Sequence, residues 1–166
     1  MEFKYNDGGR ADAGFKGGAG DCVCRAIAIA SSLPYLDVYN RLASGMQSQR
    51  RSKRTRKQPR SARNGIYVKR QWFKEYMREI GFEWVPTMGI GTGCKVHLHD
   101  GELPSGRLVV SVSKHYTTVI DGVVHDTHDP QREAHVTRFN GASNMVDTRV
   151  THSISRRCVY GYWIKL

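Results

Sequence analysis

Long apolar runs are missing from this 166-residue chain: the most apolar stretch, Ala26 to Ala30, is far too short to cross a bilayer. The N-terminal segment MEFKYNDGGRADAG lacks the basic-then-apolar layout of a secretory signal. Both absences point to a cytoplasmic protein with no membrane partner. Cysteine is scarce, and four residues in a chain of this length are too few for a disulfide framework, so free thiols are expected. No internal repeat is visible. No Gly-Lys-Ser/Thr follows the glycines of residues 8 to 20, which excludes a phosphate-binding loop.

Acid is absent from one stretch that holds Arg50, Arg51, Lys53, Arg54, Arg56, Lys57, Arg60 and Arg63. The formal charge is +11, and without those eight cations the remainder carries +3. The basicity is therefore local, and a partner inferred from charge must be one that this segment meets. Around it, 39% hydrophobic residues with eight Tyr, five Phe and three Trp give the composition of a folded globule. The length fits one domain over residues 1–166, carrying a basic flexible loop at about 49–64.

Periodicity divides the chain in two. Six glycines within residues 6–20 read as an irregular loop that delivers the chain to Asp21, a candidate N-cap for the apolar run CVCRAIAIASSL before Pro34. A helix apolar on nearly every side belongs in the middle of a fold. Tyr35, Val38, Tyr39, Leu42, Ala43 and Met46 follow the spacing of one buried helical face. A third helix is predicted from about Val68 to Ile80, capped by Gly81. Beyond it the period changes to two: Phe82 to Val85, Leu108 to Val112, His115 to Ile120, Val123 to Thr127 and Val159 to Leu166 read as strands. Asp121-Gly122 suits a two-residue hairpin turn. Residues 133–155 carry no clear pattern. Helices followed by an antiparallel sheet make an α+β layout.

A thiol is a useful nucleophile only as thiolate, and the first turn of a helix lowers its pKa through backbone N–H groups and the helix dipole. Cys22 would sit there. Cys24 projects about 200° further round the helix and reads as a core residue, as do Cys94 and Cys158. A two-residue turn at Asp121-Gly122 pairs His125 with Thr118 and Asp126 with Thr117, and puts His128 opposite His115. Asp126 then lies diagonal to His115 on the same face, placed to orient its ring; one bulge would exchange it for Asp129.

Gly20-Asp21-Cys22 opening an apolar helix, followed far downstream by a hydrophobic strand, His115-Tyr116, a turn and an Asp-bearing return strand, resembles the papain-like cysteine peptidases. The likeness is to their compact bacterial branch, which includes the double-glycine leader peptidases. It implies a papain-like fold, N-terminal helices packed on a C-terminal antiparallel sheet with the nucleophile helix central. It also implies a catalytic Cys22, His115 and Asp126, and a peptide, isopeptide or other amide bond opened through a thioester, with a protein or peptide substrate and no cofactor. One departure is Lys16, at a position where such enzymes commonly carry a Gln that completes the oxyanion hole. The Cys22 N–H can serve, and Lys16 or Asn6 are candidates for the second donor.

Two rival readings use other residues. Cys94, His97 and His99, joined by Cys22 or Cys24, have a spacing that could hold zinc, although loop histidines near Asp100 are more often solvated, and no metal site is expected. The run led by Arg50, Arg51, Lys53, Arg54, Arg56 and Lys57 could bind nucleic acid or another acidic partner through residues 50–63, or serve only as a solvated loop. The alternative to an enzyme is thus a basic nucleic-acid-binding protein with structural Cys and His residues.

Overall fold

The computed structural model describes residues 1–49, 61–140 and 149–166. The apolar run after Asp21 forms α1 (Cys22–Ser31), in which every residue from Val23 to Ala30 is buried. Next comes α2 (Tyr35–Ser48), preceded at its N-cap by Pro34. It turns Tyr35, Val38, Leu42 and Gly45 inward, with Tyr39, Ala43 and Met46 half-buried at the margin. The third helix, α3 (Gln71–Glu79), begins later than its apolar spacing predicts, because residues 68–70 form a turn. It ends where Gly81 takes a left-handed φ of 84° and donates to the Arg78 carbonyl.

Among the described residues the strands are β1 (Glu2–Tyr5), β2 (Phe82–Pro86), β3 (Arg107–Val112), β4 (His115–Ile120), β5 (Val123–Asp126), β6 (Glu133–Asn140), β7 (Arg149–Arg156) and β8 (Val159–Lys165). Six of them form one sheet in the order β1-β5-β4-β3-β8-β2, and β6 pairs with β7 separately. The architecture is α+β with a mostly antiparallel sheet. Two features differ from the sequence expectation. The first residues form a strand, β1, which lies parallel to β5, so the sheet is neither wholly antiparallel nor wholly C-terminal. The unpatterned stretch after residue 132 contains the β6–β7 antiparallel pair.

Alternation along β3 explains the two-sided core. Val109 joins Phe73, Trp163 and the helices on one face, while Leu108, Val110 and Val112 join Val119, Val124 and Val159 on the other. Helix α1 packs on β3 and β4. Arg107 of β3 donates to the Ile29 and Ala30 carbonyls at 2.7 and 2.6 Å, supplying partners for the open end of the helix, and Thr118 of β4 donates to the Ala26 carbonyl at 2.8 Å. These bonds hold α1 across the sheet with its first turn beside the start of β4.

A disulfide joins Cys94 to Cys158, correcting the expectation of free thiols and of two small core residues there. Its physical origin is a backbone contact between remote segments: residues 96–98 run antiparallel to the entry of β8, with Val159 N–H bonded to the Val96 carbonyl and Leu98 N–H to the Arg157 carbonyl. Cys22 and Cys24 are free. The basic cluster from Arg50 to Arg60 lies outside the described residues. No described helix is long and apolar enough to cross a membrane.

Two outcomes test this arrangement. Alkylation of the denatured, unreduced protein should modify Cys22 and Cys24 alone, and modification of Cys94 or Cys158 without reductant would contradict the disulfide. Gly161 of β8 has no room for a side chain, since an added Cβ would lie 2.3 Å from the Trp84 ring and 2.9 Å from the Val85 carbonyl. Gly161→Ala should therefore cost roughly 1–3 kcal/mol through overpacking, read as a lower urea midpoint with an unchanged slope.

Candidate active site

The β4–β5 hairpin turns at Asp121 and Gly122, with φ values of 47° and 82°. Positive φ at both central residues is the type I′ geometry that matches strand twist, which is why Asp-Gly works there. The register pairs Ile120 with Val123, Val119 with Val124 and Thr118 with His125, as the two-residue turn predicts. One step further, Asp126 leaves the strand on the face that carries His115 and Thr117. His115 Nε2 lies 2.7 Å from Asp126 Oδ2. The other carboxylate oxygen, Oδ1, accepts the Thr127 N–H at 2.7 Å. Asp129 instead accepts from the Gln131 backbone and side chain and makes no contact with His115 among the described residues.

Cys22, the first residue of α1, is electrostatically coupled to His115. The His115 side chain and the Tyr116 backbone both act on its thiol to favour the thiolate. Since Nε2 faces Asp126, Nδ1 is the ring nitrogen left for the sulfur. Burial pushes the Cys22 thiol up, but the bonds to His115 and Tyr116 and the charges of His115 and Arg25 outweigh it and hold the pKa below the ordinary thiol value. Burial alone would depress His115; the hydrogen bonds to Asp126 and Cys22 instead raise it to about 9. Asp126 is buried, which raises its pKa, yet His115 and the Thr127 N–H bring it below the usual carboxylate range. Cys24 shows the contrast, two residues away in the core, where burial pushes the thiol up to about 12.

The first turn of α1 is organised differently from the sequence expectation. Asp21 makes no side-chain capping bond. Its buried carboxylate instead receives Arg10 Nε at 2.9 Å, Tyr35 Oη at 2.5 Å and the Arg25 guanidinium. With the acid turned aside, no side chain of Asp21 occupies the N–H donors at the helix tip, where the positive end of the dipole lies. Arg25 also reaches Asp126, with Nη2 at 3.9 Å from Oδ1, so one guanidinium spans the residue before the thiol and the carboxylate behind the imidazole. Sequence reasoning passed over Arg25 because a cation inside an apolar helix has no visible partner until the loop and hairpin close on it.

The suggested oxyanion donors, Asn6 and Lys16, make contacts with other groups. Asn6 uses its side-chain oxygen to accept the Gly8 N–H at 2.8 Å, and its own N–H donates to the Asp126 carbonyl at 2.9 Å. Lys16 is exposed, and its carbonyl accepts from Arg10. The first-turn N–H groups of α1 remain the donors nearest the thiol in the chain. The residues considered for zinc are dispersed as well: Cys94 is in the disulfide, His97 Nδ1 is 3.0 Å from Glu102 and His99 Nδ1 is 3.6 Å from Glu133. A different set could hold a metal ion, namely His115, Asp126 and His128, whose donor atoms lie within 4.8 Å of one another. His128 is exposed, and its ring centroid is 4.9 Å from that of His115.

These couplings give stability a defined pH dependence. Folding raises His115 from 6.5 to about 9, so its contribution is full below pH 6.5 and is lost as pH rises through about 9. Asp126 is depressed on folding, so its contribution is present above the ordinary carboxylate value and is lost as pH falls through the folded value. Urea midpoints followed from pH 6 to 10 should decline in the native protein and decline less steeply in His115→Ala. Parallel declines would show that the imidazole is not held charged by its neighbours.

Comparison with family models, with curated proteins and with solved structures gives no match. The chemistry of the site therefore rests on its own geometry.

Proposed function

We propose that this protein is a cysteine-dependent hydrolase or acyl-transfer enzyme that opens a peptide, isopeptide or other amide bond through a thioester on Cys22. The observation that supports the reading is the His115–Asp126 hydrogen bond, together with the mutual pKa shifts of Cys22 and His115. A sulfur with a lowered pKa, beside an imidazole with a raised one, favours the thiolate–imidazolium pair at neutral pH. A papain-like assignment agrees with the order of elements and with a buried nucleophile helix across the sheet.

The steps follow from these groups. The Cys22 thiolate attacks the carbonyl carbon and forms the C–S bond, while N–H groups at the tip of α1 take up the charge on oxygen. His115 gives its proton to the nitrogen as the C–N bond breaks, and the amine leaves. Water then attacks the thioester carbon, His115 accepts its proton, the C–S bond breaks and the acid departs, restoring the thiolate–imidazolium pair. An amine in place of water gives transfer in place of hydrolysis. Asp126 holds the ring with Nδ1 toward sulfur throughout and balances its charge.

A small uncharged ester tests this directly. Incubation with p-nitrophenyl acetate should release a burst of nitrophenol equal to the enzyme concentration and leave an acetyl group on Cys22. Cys22→Ser should abolish the burst. His115→Ala should slow it by roughly 100-fold or more, within the range typical of a lost general base. Asp126→Ala should slow it more than Asp129→Ala. A Cys22 acetylated no faster than the same residue in urea-denatured protein overturns the proposal.

A further inference from the structure

Beside His115 the surface opens into a cleft of about 790 Å³. Its floor is aromatic and aliphatic, built from Val23, Trp84, Tyr116 and Trp163. His115 itself lines the cleft, so the floor adjoins the imidazole of the candidate site. Trp84 crosses β8 at Gly161 and packs on Trp163 at a centroid separation of 5.3 Å. Around the floor stand Lys69, Lys74, Arg78 and Lys114, all exposed, and among the described residues no carboxylate lines the cleft.

The arrangement of charge is one-sided for a reason visible on α3. Lys74 and Arg78 are four residues apart, so two like charges share one helix face, which is unfavourable by a few tenths of a kcal/mol in a helix without counter-charge. The acids of the same helix face elsewhere: Glu79 pairs with Arg41 at 3.3 Å, and Glu75 accepts from Gln71 at 3.0 Å. Among the described residues none of the four cleft cations forms an ion pair. Lys114 stands next to His115 in sequence, so positive charge continues from α3 to the edge of the reacting site. Cations around a partly apolar cleft, with their own acids engaged elsewhere, suit a ligand that brings both apolar surface and carboxylates.

We infer that the cleft selects a polypeptide substrate carrying an aromatic or aliphatic side chain flanked by Asp or Glu, the apolar group lying on Val23, Trp84 and Trp163 and the carboxylates reaching Lys69, Lys74, Arg78 and Lys114. This rests on reading Cys22 as an acyl-transfer nucleophile, because that chemistry requires an acyl carbon beside the cleft. A peptide supplies one at every residue and a nucleic acid backbone supplies none.

The test separates the two levels. Binding is read on full-length Cys22→Ser by fluorescence anisotropy with a fluorescein-labelled peptide alternating Glu with Phe, against the counterpart with Gln in place of Glu. Acylation of the native protein by p-nitrophenyl acetate is read in parallel, since that ester needs no cation. The acidic peptide should bind about tenfold or more tighter, with the preference shrinking as salt rises. Adding Lys74→Glu and Arg78→Glu to Cys22→Ser should remove the preference, whereas adding Lys4→Glu, on β1, should leave it. Equal binding of the two peptides while acylation proceeds overturns the inference and leaves the acyl-transfer reading standing. Tight acidic binding without any acylation of Cys22 removes the reading beneath it, and the cleft is then a docking site. Displacement of the peptide by a single-stranded oligonucleotide, with the same dependence on Lys74 and Arg78, also overturns it in favour of nucleic acid.

Discussion

A guanidinium held between two buried carboxylates organises this molecule. Arg25 sits in an otherwise apolar helix, touching Asp21 at the helix entry and approaching Asp126 at the end of β5. An unpaired buried carboxylate costs several kcal/mol, and Arg25 gives both acids a counter-charge. Asp21 also collects Arg10 from the glycine-rich loop and Tyr35 from the start of α2. One electrostatic knot thus ties the N-terminal loop, two helices and the hairpin. It also sets the distance between the helix that bears the thiol and the strand that bears the carboxylate.

The opposite end of α1 is held by different means. Arg107 satisfies its terminal carbonyls and Thr118 bonds its middle, so the helix is fixed at both ends on a sheet whose inner residues are apolar. Rigidity of this kind matters for acyl transfer, where an ångström of misplacement between nucleophile and base is costly. The pKa pattern follows from the same placement. Cys22 and Cys24 lie on one helix, yet one thiol is lowered by a histidine and the other is pushed to about 12 by burial.

Much of the candidate site was legible because it depends on local rules. The left-handed preference of Asp-Gly fixes a two-residue turn, the turn fixes the register, and strand parity then puts Asp126 and His115 on one face. The helix entry before Cys22 was legible from an acid preceding an apolar run, but the role of that acid was not. Capping is a contact with the next few residues, whereas Asp21 is claimed by side chains from other segments. The disulfide escaped for a related reason: Cys94 and Cys158 are 64 residues apart and meet only because two irregular stretches pair beside β8. Strand β1 escaped because its alternation of Phe3 and Tyr5 with Glu2 and Lys4 covers only four residues, too few to stand out until pairing with β5 and packing of Met1 and Phe3 on the core place it.

By itself, then, the amino-acid order determined three helices ahead of a strand-rich half, the hairpin register, and which cysteine stands at a helix tip. Those outcomes follow from periodicity and backbone preference, which act over a few residues. Only the tertiary structure decided that His115 bonds Asp126, that Arg25 bridges two acids, and that four cations surround an aromatic cleft beside His115. Each of these joins residues far apart in the chain, and such contacts are selected by burial and charge pairing in three dimensions, for which linear spacing carries no signal.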